Sequence, residues 1–97
     1  MDERAAAEIE LATRNLVGLI ERHLPALLES LTLVGSAVDG DYRAGQSDLD
    51  FVAVFNAPPT EDEIDGLTVL HRLYGSDPTL PVLGGIWITP DGLKASP

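Results

Sequence analysis

The sequence predicts a small α+β domain, a mixed sheet with two helices covering one of its faces. Three observations predict it. Residues 3–23 and 60–74 carry apolar side chains at helical spacing. Residues 30–35, 48–55 and 80–89 are short runs rich in Leu, Val, Ile, Thr and aromatic side chains, punctuated by Gly, Pro and Asp. The two patterns follow one another as helix, strand, strand, helix, strand, and a sheet in that setting hides its apolar face under the helices. A chain of 97 residues, 44% of them apolar, suits a single domain spanning residues 1–97.

In the first segment, "ERAAAEIELATRNLVGLIERH", Ile9, Leu16, Ile20 and Leu24 recur on one helical face with Ala12 or Thr13 between them. Glu8, Arg14, Glu21 and Arg22 then point outward. Pro25 breaks or restarts this helix, and a last turn is expected around Leu27-Leu28. "SLTLVG" (30–35) reads as a short strand, "SAVDG" has room for one helical turn, and "DYRAGQS" is a loop. "DLDFVAVF" (48–55) is the surest strand, and Pro58-Pro59 stops what precedes them. Thr60 with Glu63 three residues on forms a capping box, and Asp62 adds favourable charge at the helix start. The helix is expected to run to about Tyr74 with Ile64, Leu67, His71 and Tyr74 down one side; Gly66 weakens it by roughly 1 kcal/mol relative to Ala. "GSDP" is a turn, "LPVLGGIWIT" a strand interrupted by two glycines, and "PDG" a further turn. In that last strand Trp87 faces away from Ile86 and Ile88, either capping the sheet or packing beneath a further domain.

Sixteen acids against six bases give a net charge of −10. Such a surface repels a phosphate backbone, so no direct nucleic-acid binding is expected, and it attracts cationic small molecules or basic partners. A nucleotide would need a metal ion to bridge it to so acidic a chain. There are no cysteines, hence no disulfides and no thiolate metal site. No apolar run approaches the ~18 residues of a membrane span. The start, "MDERAAAEIE", lacks the layout of a secretory signal, which together with the absent cysteines points to the cytoplasm.

The stretch "LVGSAVDGDYRAGQSDLDFVAVF" (33–55) concentrates the chemistry. Gly35 lets the backbone approach a ligand closely, and the Ser36 hydroxyl with free amides can hold phosphate oxygens. Asp48 and Asp50 alternate with Leu49, so a strand would present both carboxylates on one face. Like charges that close repel unless a cation sits between them, and hard oxygen donors select Mg²⁺ or Mn²⁺. The plainer alternative is a solvated strand start with two turn-forming aspartates. An EF-hand built on Asp39, Asp41 and Asp50 fails, because Arg43 and Ala44 fall where an oxygen donor and a glycine are needed. A glycosyltransferase also uses Asp-x-Asp but needs a longer chain, and neither a dinucleotide fingerprint nor a Walker lysine motif occurs. His71 reads as packing, His23 as a favourable charge at a helix C-terminus, and Arg43 as either an exposed loop residue or a triphosphate contact.

Gly35-Ser36, eleven residues, then Asp48-Leu49-Asp50 and an apolar strand resemble the signature of the polymerase-beta-like nucleotidyltransferases. Within them, "GSAVDGDYRAGQSDLDFVAVF" looks most like the streptomycin/spectinomycin-type aminoglycoside adenylyltransferases. The resemblance implies a palm-like fold and transfer of AMP from ATP to a hydroxyl of a small, cationic acceptor such as an aminoglycoside. It implies that Gly35 and Ser36 bind the triphosphate, and that Asp48 and Asp50 are the catalytic carboxylates holding Mg²⁺ or Mn²⁺. Two departures stand out. The family's third carboxylate is expected on the last strand, which here carries Gly84 and Gly85, with Asp77 and Asp91 only flanking it. The C-terminal helical domain that helps bind the acceptor is not found before Pro97. The resemblance therefore also accommodates a minimal or truncated, non-catalytic module, antitoxin-like, that acts through a partner chain.

Overall fold

The computed structural model describes residues 2–89. Helix α1 (Glu3–His23) is followed by strand β1 (Leu28–Leu33), the single-turn helix α2 (Ser36–Asp39), strand β2 (Phe51–Phe55), helix α3 (Glu61–Gly75) and strand β3 (Ile86–Ile88). The sheet order is β1-β2-β3, with β1 antiparallel and β3 parallel to the central β2. This is the expected mixed sheet with helices on one face. None of the helices among the described residues is long and apolar enough to cross a membrane.

Asp2 caps α1 by accepting from the Ala5 amide at 2.8 Å. Its buried face is Ala5, Ala12, Leu16 and Ile20, continued by Leu24. The expected last turn is a single hydrogen-bonded one, closed by the Leu27 amide on the Leu24 carbonyl at 3.2 Å, and it stops short of Leu28. Ala26 takes a positive φ of 66°, reversing the chain, so that Leu28 already belongs to β1 and the strand covers 28–33 rather than 30–35. The reversal is tied down by Asn56, whose side chain donates to the Ala26 carbonyl and whose amide donates to the Leu27 carbonyl at 2.8 Å. Residue 26 is thus held in a conformation L-residues adopt at some cost.

The central strand points Phe51, Ala53 and Phe55 into the core. Trp87 of β3 lies beside Ala53 and joins them, edge-on to Phe51 at 5.2 Å and stacked on Phe55 at 5.6 Å. Trp87 therefore faces away from Ile86 and Ile88 as expected, but its partners are this chain's own aromatic rings under the helices. The regular part of the last strand is only 86–88, not 80–89, because Gly84 and Gly85 pass close to other groups before it. A Cβ on Gly85 would run into the Phe51 ring. The expected "PDG" turn lies outside the described residues.

Helix α3 starts with the expected capping box: Thr60 Oγ1 accepts from the Glu63 amide and Glu63 Oε1 accepts from the Thr60 amide. Its inward stripe differs from the expected one. Leu70 and Tyr74 are buried with Leu67 partly so, whereas Ile64 is half exposed and His71, though largely exposed, turns its ring to Trp87. The rotation follows from a close helix crossing, since a Cβ on Gly66 would come within 2.7 Å of the His23 carbonyl oxygen. Gly66 weakens the helix locally and allows that approach. Tyr74 donates its hydroxyl to the Pro81 carbonyl at 2.6 Å, and burial, then the charges of Asp77 and Glu8, push its pKa up to about 12.

Two glycines should respond in opposite directions. Gly85→Ala overpacks the Phe51 contact and should destabilise by about 2 kcal/mol, roughly 10 °C in Tm. Gly18→Ala, in α1 with nothing within 4 Å of the added methyl, should stabilise by up to about 1 kcal/mol. Thermal melts followed by circular dichroism read both. Because the folded pKa of Tyr74 is raised, its stabilising contribution is complete below about pH 10 and is lost as pH rises toward 12. Tyr74→Phe should flatten that alkaline loss in denaturant titrations across the same range.

Candidate active site

Gly35 follows β1 and caps α2 with φ 67° and ψ −141°, in the left-handed half of backbone space that glycine enters without strain. Its carbonyl accepts from the amides of Val38 and Asp39, both at 3.0 Å. The amides of Ser36 and Ala37, at the start of the helical turn, have no acceptor within it. The turn closes at Gly40, φ 84°, whose amide returns to the Ser36 carbonyl.

The following loop folds on itself. The amides of Gln46 and Ser47 donate to the Arg43 carbonyl at 3.0 and 2.9 Å, and the Arg43 amide donates to Ser47 Oγ at 2.8 Å. Tyr42 is buried and donates its hydroxyl to Glu8 Oε1 at 2.6 Å. Burial first, then the hydrogen bond and charge of Glu8, hold the Tyr42 phenol well above the usual tyrosine range, with lesser pushes from Tyr74 and Asp48. Both Glu8 oxygens also accept from the Gly45 amide at 3.1 Å. The Arg43 side chain is exposed and makes no ion pair among the described residues.

Leu49 is the fixed point of the next segment. Its amide donates to the Val82 carbonyl at 2.8 Å and its carbonyl accepts from Gly84 at 2.9 Å, forming an isolated parallel bridge with Leu83. On the other side the Val34 amide donates to the Asp50 carbonyl at 3.0 Å. With the Leu49 side chain fully buried, strand alternation turns Asp48 and Asp50 to the opposite face. The regular strand begins only at Phe51, so both aspartates lie in its lead-in rather than inside it.

Two glycines enclose the Asp50 carboxylate. A Cβ on Gly35 would come within 2.6 Å of Asp50 Oδ2. One on Gly84 would overlap Asp50 Oδ1 and lie 3.3 Å from Asp48 Cβ. The Gly35-Ser36 turn and both aspartates are therefore neighbours, as the motif predicts. Two carboxylates on one face, with the space around one kept free of side chains, suit a hard divalent ion completed by water and phosphate oxygens. Gly84 is the residue alongside Asp50, and a side chain there would have to displace the Asp50 carboxylate. Among the described residues no group of three His, Cys, Asp or Glu side chains comes together. Asp77 instead accepts from the Thr79 amide and hydroxyl at 2.9 and 2.6 Å, bonds that hold its pKa low. Asp91 lies outside the described residues.

Asp48 also lines a cavity of about 250 Å³ between the 45–48 segment with Glu8 and the facing 78–82 segment. A neighbouring hollow of about 380 Å³ is bordered by His71, Tyr74 and the 80–83 segment. The Trp87 indole donates to His71 Nε2 at 3.3 Å, and burial lowers the His71 pKa. His23 ends α1 with its Nε2 buried and unpartnered among the described residues. Glu8, read from its helical phase as outward-facing, was not legible as part of this region, because its partners lie 34 and 37 positions away.

Searches of the curated proteins and of the solved structures return no match to the chain. A match comes instead from a family-wide sequence pattern, which covers residues 14–78, well over half of the chain. It takes in the Gly35-Ser36 turn, both aspartates and α3, and by it the chain belongs to the nucleotidyltransferase domain family.

Proposed function

We propose that this site binds a nucleoside triphosphate with Mg²⁺ or Mn²⁺ and transfers a nucleoside monophosphate, AMP from ATP, to a hydroxyl group. The observation that carries the reading is the enclosure of the Asp50 carboxylate by Gly35 and Gly84, beside Asp48 and the phosphate-type turn. Asp48 and Asp50 hold the ion. The Ser36 hydroxyl and the Ser36 and Ala37 amides receive phosphate oxygens, while Gly35 keeps the Asp50 carboxylate accessible. With an ion held there, charge on the triphosphate would be neutralised as the acceptor oxygen bonds the α-phosphorus, its proton passing to solvent and pyrophosphate leaving. The net charge of −10 supports a cationic acceptor, and the resemblance of residues 35–55 supports an aminoglycoside-like one. A second reading is a non-catalytic nucleotide-binding module that works through a partner chain. It is favoured by one observation, that no third carboxylate joins the pair among the described residues.

Incubation with labelled ATP, Mg²⁺ and a panel of aminoglycosides separates the two readings, with label expected on an acceptor. Magnesium-dependent ATP binding without any transfer would instead favour the module. Asp48→Asn and Asp50→Asn should each lower transfer by on the order of 100-fold or more while leaving the melting curve in place. Unchanged Mg²⁺-dependent ATP binding in both variants would overturn the assignment of the site. Gly35→Ala should weaken nucleotide binding as well, since it places a methyl against Asp50 and an alanine at positive φ.

A further inference from the structure

We infer that Glu8 is a positioning residue of this site: from the first turns of α1 it holds the loop that sets Asp48 in place. The inference rests on the proposed reading of Asp48 and Asp50 as metal carboxylates. Its basis is the bonding of the loop. The hydrogen bonds within 41–47 and back to Ser36 close the loop on itself and on α2. Among the described residues, Glu8 supplies the hydrogen bonds that fasten it to another part of the fold, at the Tyr42 hydroxyl and the Gly45 amide. A carboxylate accepting from a phenol and an amide makes charge-assisted bonds, which are short and strong. Tyr42 is buried to 5% exposure, so its hydroxyl is delivered to Glu8 in a fixed direction. Three residues after Gly45 comes Asp48, and Glu8, Gly45 and Asp48 border the same cavity of about 250 Å³. The far side of Asp48 is fixed by the Leu49 bridge. Glu8 fixes the near side, so the backbone that carries Asp48 is held from both directions.

The variants are Glu8→Gln, which keeps an oxygen for Tyr42 but turns an amide NH₂ toward Gly45, and Tyr42→Phe, which keeps the buried ring and the Gly45 bond. Mn²⁺ affinity in the presence of ATP is read by electron paramagnetic resonance, folding by thermal melts, and the Gly45 and Ser47 amides by hydrogen exchange. Expected are near-native melts, faster exchange at Gly45, and Mn²⁺ binding weakened about tenfold in Glu8→Gln and less in Tyr42→Phe, the scale of lost outer contacts around a metal. Native Mn²⁺ affinity in both variants would overturn the inference while leaving the metal site standing. So would a loss of affinity that only tracks unfolding in both. If the unmodified protein binds no Mn²⁺ with ATP, the site reading fails and the inference falls with it.

Discussion

The arrangement depends on one short piece of backbone pairing. Leu49 is bonded through its amide and carbonyl to Val82 and Gly84, while the Asp50 carbonyl is taken by Val34. These bonds bind the lead-in of the central strand to both neighbours before the regular ladder starts. Once Leu49 is committed to the core, the two-residue period of an extended chain leaves its flanking side chains no choice of face. Two residues with poor strand propensity can therefore stand at the head of the strand, because the pairing is carried by main-chain atoms. The core below it, with Phe51, Phe55 and Trp87 in mutual contact under α1 and α3, makes slippage of that register costly.

Around this pairing the glycines act as spacers of different kinds. Gly66 lets α3 come against the end of α1, and Gly85 makes way for the Phe51 ring. Gly35 and Gly84 leave room for a carboxylate. Packing and site construction thus meet at adjacent positions, 84 and 85, in the segment that enters β3. The same crowding shortens the regular strand to three residues.

The order of elements, the mixed sheet and the motif were legible because they rest on local signals: helical spacing in 3–23, the capping box at Thr60, and alternation around Leu49. What escaped rests on contacts between distant residues. The α3 stripe is rotated toward Leu70 because Gly66 meets the His23 carbonyl, which spacing alone cannot show. The reversal at Ala26 depends on Asn56, thirty positions on. Trp87 carried the right facing in its alternation, but only the assembled sheet reveals that Phe51 and Phe55 receive it. Glu8 has the appearance of a solvent-side helix residue until the loop carrying Tyr42 is laid across it. The absence of an acid from 80–89 is plain in the sequence, and the sheet adds that Gly84 is the residue beside Asp50.

The crowding at position 84 has an evolutionary meaning. An acid gained there by one substitution and the Asp50 carboxylate in its present position would claim the same space, so the one has to displace the other. The next position on that face is Ile86, opposite Val52. It already carries a side chain, so an acid on that face needs no new space there.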